Sequence, residues 1–475
     1  MKTTARLPFS KIRFDLPFST HLAVTLEAPH VEWERTRPPV CVVPVIDVSG
    51  SMDGDKLEKA KRSVQKLVAQ LAPGDRCGIV TFASDVAVVA PPAEMTPARK
   101  ASLRTAVEQL HTRGQTNLAG GMLEGLRLAN GADLPAGMLV RVILFTDGCA
   151  NQGVATRSAD LLPLLEANLG RATLSAFGYG RDADQELLRD LSTRGKGNYA
   201  FVAGPDDAMT AFARELGGLL STYAQDIVLQ VRPLGGSHIT AVLSDVDADP
   251  RDTGVEVRIP DILADETRNV VLAVELPAAS ATTRAPEAAF EVEVTWKSLA
   301  GGTALVSHRQ VVQATVERVV PGSEQVHADR DVDVIVAQAE LVRAQIEAEE
   351  LARRGEHHRA HERVFAVYVS ATDRGLLAEA RAAREVAQAM RSEDAFTSSA
   401  PFRSSMRKGV NRSSSVMMDA DAERVLLDMG LSKKTLAQDE MDARFQEKEP
   451  RPAPRRQGRT SPSPTGPKPT RTRKW

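Results

Sequence analysis

Residues 40–47, VCVVPVID, run apolar and end on a carboxylate, the pattern of a parallel strand buried on both faces. Apolar or small residues then recur at Leu57, Ala60, Val64, Leu67, Val68 and Leu71, a helical period closed by the turn Pro73-Gly74-Asp75. The unit repeats. CGIVTFA and VAVVA read as strands, Pro97 to Leu110 and Leu118 to Asn130 as helices, and Leu139 to Phe145 as another apolar strand. Further alternation runs through Ala172–Phe177, Gln185–Leu191, Tyr199–Val202 and Asp206–Leu220. Strands alternating with helices predict an α/β domain over 39–222, doubly wound around a mostly parallel sheet.

From Tyr223 the period changes to two, with Ile227, Leu229 and Val231, then Val255, Val257 and Ile259, then Phe290, Val292 and Val294. This predicts an antiparallel β-sandwich over 223–320, one face of each sheet packed and the other wet. Residues 1–38 also carry a strand pattern at Phe14, Leu16, Leu22, Val24 and Leu26, and they are expected to join the same sandwich, with the α/β domain inserted into it. Residues 330–392 are rich in Ala, Glu, Arg and Leu and broken near Gly355 and Gly375, which predicts a small region of antiparallel helices. No second copy at a fixed period supports a repeat array. Residues 393–475 turn to Ser, Met, Arg and Pro and are expected to form a largely disordered tail.

Composition adds little to this picture, except in three respects. Apolar residues at 42% and charged residues at 26% are globular averages, while 4% aromatics leave few stacking platforms for nucleic acid. The formal charge of −2 is uneven: Arg451 to Trp475 holds eight basic residues and no acid, which leaves −10 for residues 1–450. The basic stretch could touch nucleic acid or acidic surfaces, but with six prolines it reads first as a solvated tail. Three cysteines, Cys41, Cys77 and Cys149, are too few for a disulfide framework, and with no export signal or long apolar run in view the expected setting is a reducing, cytoplasmic one away from membranes.

Chemistry concentrates at three strand ends. The loop after the first α/β strand reads Asp47-Val48-Ser49-Gly50-Ser51, one carboxylate and two hydroxyls around a strand-to-helix turn. All are hard oxygen donors, suited to Mg²⁺, but three donors cannot complete about six positions. Two more loops converge: Gly114-Gln115-Thr116-Asn117 opens a helix with a threonine, and Thr146-Asp147-Gly148 ends a strand with an aspartate. Carboxyl ends of parallel strands form the ligand crevice of such folds.

In these three motifs the sequence resembles the von Willebrand factor A family and its metal-ion-dependent adhesion site, over about Val40 to Leu220. Phe177-Gly178-Tyr179-Gly180 and Gly195-Lys196-Gly197-Asn198-Tyr199 are similar to later segments of bacterial members related to inter-alpha-trypsin inhibitor heavy chains. The resemblance implies a Rossmann-like α/β domain. It also implies that Ser49, Ser51 and Thr116 bind the metal directly, while Asp47 and Asp147 act mostly through water. The ion is expected to be Mg²⁺, with Mn²⁺ or Ca²⁺ as alternatives. Its open position would accept a Glu or Asp of a protein partner, with Met52, Asp53, Gly54, Gln115, Asn151 and Gln152 as candidate rim.

The expectation is therefore a bacterial, non-enzymatic, metal-dependent adaptor. Its alternative is a non-catalytic subunit of an AAA+ ATPase machine of the MoxR or chelatase kind, by family analogy. Other chemistry finds less support. No G-x-S-x-G elbow accompanies Ser63 or another serine. A haloacid-dehalogenase-like phosphatase needs a carboxylate where Ser49 stands, and no phosphate-binding G-x-x-x-x-G-K-[ST] loop occurs. His357, His358 and His361 have helical zinc-ligand spacing but fit a solvated helix face better. Cys149, beside Asp147, reads as a small buried filler more than a redox centre.

Overall fold

The computed structural model describes residues 1–31, 39–131, 133–135, 138–148, 150–180, 183–202, 222–283, 285–298, 306–411, 420–429 and 431. The chain begins with three strands, β1 (Lys2–Arg6), β2 (Lys11–Arg13) and β3 (Phe18–Glu27). It then builds the α/β layer from β4 (Val40–Asp47), α1 (Asp55–Gln70), β5 (Arg76–Phe82), β6 (Val86–Glu94), α2 (Pro97–Glu108), α3 (Leu118–Gly131) and β7 (Leu139–Thr146). The layer continues with α4 (Ser158–Asn168), β8 (Thr173–Tyr179), α5 (Gln185–Arg194) and β9 (Lys196–Val202). The helix expected over Asp206–Leu220 lies outside the described residues.

These strands order as β6-β5-β4-β7-β8-β9, all parallel except β6, which pairs antiparallel with β5 at the edge. Every residue of β4 is buried, as its unbroken apolar pattern requires of a strand covered by helices on both faces. Val40, Val42 and Ile46 pack toward α1, while Cys41, Val43 and Val45 pack with Met122 and Leu126 of α3. Two cores on opposite faces of one sheet fix the direction of the strands, and hence where their carboxyl ends emerge.

The remaining strands are β10 (Thr222–Pro233), β11 (His238–Val242), β12 (Asp247–Arg251), β13 (Gly254–Leu263), β14 (Thr267–Leu276), β15 (Glu287–Ser298) and β16 (Val306–Val319). They make two sheets, β1-β3-β14-β11 and β12-β13-β10-β15-β16-β2. β3 pairs with β14 over ten residues, from Phe18 opposite Leu276 to Glu27 opposite Thr267. The α/β domain thus enters the sandwich after β3 and leaves it before β10. Leu22, Val24 and Leu26 of β3 share one core with Leu229, Val257, Val274 and Val294. Arg141 of β7 donates to Ser175 and pairs with Asp261 of β13, both ends of the ion pair buried, which clamps the α/β sheet onto the sandwich.

Helices α6 (Arg330–Arg353), α7 (His357–Asp373) and α8 (Leu377–Ala389) follow. Val332, Val336 and Ala339 of α6 pack on Ala23 and Val271 of the sandwich. Gly355, at φ 79°, lets the chain reverse after α6, where the amide of Glu356 closes back on the carbonyl of Leu351 at 3.0 Å.

Past Ser392 the structure departs from the expected disorder. Three more helices form, α9 (Glu393–Ser398), α10 (Ala400–Asn411) and α11 (Ala420–Asp428). Met406, Val425 and Leu426 are buried in one core with Ala348, Val364 and Val386. A buried charge locks α10 to α6: Glu349 meets Arg403 at 3.0 Å and Arg407 at 3.5 Å, and Arg407 reaches Asp245 of the sandwich at 2.6 Å. Burial alone would raise the Glu349 pKa, but the charges of Arg407 and Arg403 hold it below the usual carboxylate range. Short apolar stripes among Ser and Arg hid these helices, because the partner surfaces that stabilise them lie some 50 residues earlier in the chain, as the separation of 58 between Gln345 and Arg403 shows. The expectation for residues 432–475 lies outside the described residues.

Breaking a buried ion pair on one side leaves the other charge uncompensated. Glu349→Ala is therefore expected to cost about 3–5 kcal/mol of helical-domain stability, read as a lowered urea midpoint monitored on the helices, while Glu347→Ala on the same helix, at a partly exposed site, changes it by less than about 1 kcal/mol.

Candidate metal centre

Asp47 ends β4 at the centre of the sheet and Asp147 follows β7, its parallel neighbour, so the two carboxylates emerge side by side. Neither has solvent exposure. Asp47 is held at both oxygens. Its Oδ1 accepts from the Ser49 amide at 2.8 Å, and its Oδ2 accepts from the Thr146 hydroxyl at 2.5 Å. Thr146 in turn accepts from the Gly148 amide at 3.0 Å, which bends the chain around Asp147. Gly148 sits at φ 77° with Leu188 against the place a Cβ would take, so the tight turn after Asp147 needs glycine.

Two of the hydroxyls meet beside Asp47. Ser49 Oγ and Ser51 Oγ are 3.1 Å apart, Ser49 buried and Ser51 exposed. Thr116 comes from the loop before α3. The loop is tied to the first by the Gly50 amide on the Gly114 carbonyl at 3.1 Å. It is tied to the third by the Asn151 side chain, which accepts from the Thr116 amide at 2.8 Å, and by the Asn151 and Gln152 amides on the Thr116 carbonyl, each at 3.2 Å. These bonds engage only the backbone of Thr116 and leave its side-chain hydroxyl out of the loop's scaffolding. The three loops that carry the five residues expected from sequence thus bond to one another.

Among the described residues there is no cluster of three or more His, Cys, Asp and Glu. The donor set here is of another kind, two carboxylates with three hydroxyls. Oxygen-only donors of this sort fit a hard divalent cation such as Mg²⁺ or Mn²⁺ and do not fit zinc held by nitrogen or sulfur.

Several residues differ from their expected parts. Met52, read as rim, is fully buried in the core under the loop. Asn151 and Gln152 act as braces through their bonds to Thr116, and Asp53 accepts from Thr112 at 2.9 Å. Gln115 is exposed, its amide donating to Ser84. Cys149 lies outside the described residues. The three histidines do not converge: His358 is 86% exposed and pairs with Glu362, His361 stacks on Phe365, and His357 faces Phe396. Ser63 is a buried helix residue bonded to the Lys59 carbonyl.

Two residues missed in sequence complete the site. Thr146 orients Asp47, and Lys56 on α1 places its ammonium 3.1 Å from Asp147 Oδ2. A cation in the first turn of a helix, where the macrodipole disfavours it, was the available signal for Lys56; for Thr146 it was a hydroxyl at the last position of an apolar strand.

Burial pushes the Asp47 carboxyl up to about 6, against the lowering effect of its bonds from Ser49 and Thr146, and the nearby charge of Asp147 adds to the rise. A raised folded-state value stabilises the fold below the ordinary carboxylate range, and that contribution is lost as pH rises through about 6. The metal-free protein therefore carries a desolvated charge at neutral pH, about 3 kcal/mol unfavourable for a shift of this size, which a divalent cation relieves. Thermal unfolding with and without saturating Mg²⁺ should show a clear rise in melting temperature near pH 7.5. The rise should shrink near pH 5 and be absent from Asp47→Asn at both.

Comparison with known proteins bears on the domain that carries these loops. Residues 42–214 match the profile of the von Willebrand factor type A domain. The chain is 31% identical over 198 residues to bovine inter-alpha-trypsin inhibitor heavy chain H1, covering 41% of this chain and 21% of that protein. It is 28% identical over 189 residues to the uncharacterized protein YfbK of Escherichia coli, covering 39% of this chain and 32% of that one. The chain thus spans only a fifth to a third of the length of these relatives. A solved structure, "von Willebrand factor type A from Catenulispora acidiphila", superposes with a TM-score of 0.60 at 20% identity over 81% of this chain and 89% of its own, a likeness of fold that reaches well beyond the matched domain. The chain contains a von Willebrand factor type A domain, an inserted α/β layer with Asp47, Ser49, Ser51, Thr116 and Asp147 at its carboxyl edge.

Proposed function

We propose that this protein is a non-catalytic adaptor that binds a protein partner through a divalent cation at Asp47, Ser49, Ser51, Thr116 and Asp147. Domains of this type mediate protein–protein interactions. The observation that carries the reading is how the carboxylate oxygens are spent: Asp47 accepts at both, and Asp147 Oδ2 meets Lys56. These bonds take up part of the carboxylates' acceptor capacity, and in this reading the hydroxyls of Ser49, Ser51 and Thr116 supply the neutral direct donors. A bound Mg²⁺ supplies an electrophilic coordination position, least neutralised when its protein donors are uncharged. The ligand that answers such a position is a carboxylate, and on a protein that is a Glu or Asp.

The same bonding argues against catalysis. A general base has to take a proton from its nucleophile, and Asp47 is committed to the Ser49 amide and the Thr146 hydroxyl while Asp147 is drawn to a lysine. Around the crevice the side chains of Ser51, Asp53, Gln115 and Asn151 are exposed, and Val154 is 79% exposed, which gives a partner both polar and apolar footing. Selectivity comes from this rim, since the metal itself would accept any accessible carboxylate.

Retention of proteins from lysate on the immobilised full chain tests the reading with wild type in Mg²⁺, wild type in EDTA, and Thr116→Ala in Mg²⁺, a variant that removes one donor without changing charge. A partner held only in the first, and competed off by excess acidic peptide, is the expected result. The same partners in all three would contradict it. If the retained partner is an AAA+ ATPase whose turnover the chain stimulates, the adaptor is a subunit of that machine.

A further inference from the structure

Lys56 is the second residue of α1, a place where the unsatisfied amides of the helix N-terminus disfavour positive charge. Its ammonium nevertheless points inward, 3.1 Å from Asp147 Oδ2, with 20% of the lysine side chain exposed and none of the aspartate. Holding a flexible lysine there costs side-chain entropy as well as helix-dipole energy, and the buried Asp147 carboxylate offsets part of both. Lys61, on the same helix, pairs instead with the exposed Glu58, whereas the partner of Lys56 is a carboxylate with no solvent exposure.

We propose that Lys56 is a resident counter-cation of the metal centre: it neutralises Asp147 when no divalent ion is bound, and by its own charge it weakens divalent-ion affinity. The inference rests on the reading of the five loop residues as a metal centre. The charge count gives its consequence. Asp47 and Asp147 alone carry two negative charges, which a divalent ion would cancel to leave the site neutral. Lys56 adds positive charge beside the loaded site, which favours an incoming carboxylate. The lysine thus trades metal affinity for attraction of an anionic ligand. A merely structural clasp between α1 and the end of β7 has no such signature, because its loss would weaken metal binding or leave it unchanged.

Titration calorimetry on the full chain with Mn²⁺ and with Mg²⁺ separates these cases, using wild type, Lys56→Met, Lys56→Gln and Lys56→Arg. Removing a unit charge beside a divalent ion in a poorly screened site should tighten metal binding on the order of tenfold in Lys56→Met and Lys56→Gln, with Lys56→Arg close to wild type. Metal-free Lys56→Met should also melt below wild type, and the gap should close when metal is added. Unchanged or weaker binding in both neutral variants, with wild type taking up metal, overturns the inference and leaves Lys56 a clasp. If wild type and all variants fold but none binds either metal, the metal-centre reading itself fails and the inference falls with it.

Discussion

Two carboxylates without solvent exposure, Asp47 and Asp147, stand at the ends of adjacent parallel strands, and a charge in that position has to be compensated. Much of the local structure follows from this constraint. The Ser49 amide and Thr146 hydroxyl turn toward Asp47, the turn at Gly148 is bent to let Thr146 do so, and Lys56 reaches in to Asp147. Beside these contacts lie the neutral hydroxyls of Ser49 and Ser51, bonded to each other at 3.1 Å. In the proposed function the buried carboxylates supply the negative charge and these uncharged groups the direct donors, an arrangement that would keep a bound cation reactive toward an anion.

The rest of the chain is built to hold that crevice still. An α/β layer inserted between β3 and β10 has both of its ends anchored in one sandwich, and Arg141 with Asp261 adds a buried tie across the junction. α5 carries the connection further. Asp184, just before it, holds the loop after β7 through its amide on the Asp147 carbonyl at 3.0 Å, and the charge of Arg189, midway along the helix, acts on Glu349 and Arg403 of the helical domain. The helical region is thus in electrostatic contact with the element that flanks the candidate site.

Most of the α/β layer was legible because its signals are local: an unbroken apolar run such as residues 40–47 can satisfy itself only between two helical layers. The five candidate residues stood out for the same local reason, lying at or just after the ends of strands or in the loop that leads into a helix. What escaped notice depended on partners distant in sequence. Lys56 and Thr146 take their meaning from Asp147 and Asp47, 91 and 99 residues away. Met52 looked like rim because a loop flanked by polar residues gives no sign that its backbone turns inward. α9 to α11 look polar by composition, and they hold together through the buried Glu349–Arg403 pair and the core around Leu426.

The central claim is that neutral hydroxyls, with the carboxylates behind them, hold a divalent cation. The most direct measurement is the anomalous difference map of crystals grown with Mn²⁺. The account predicts a peak about 2.1 Å from the hydroxyl oxygens of Ser49, Ser51 and Thr116, with Asp47 still bonded to Thr146. A peak bound directly by both carboxylates without the hydroxyls, or no peak in this crevice at saturating Mn²⁺, would contradict it.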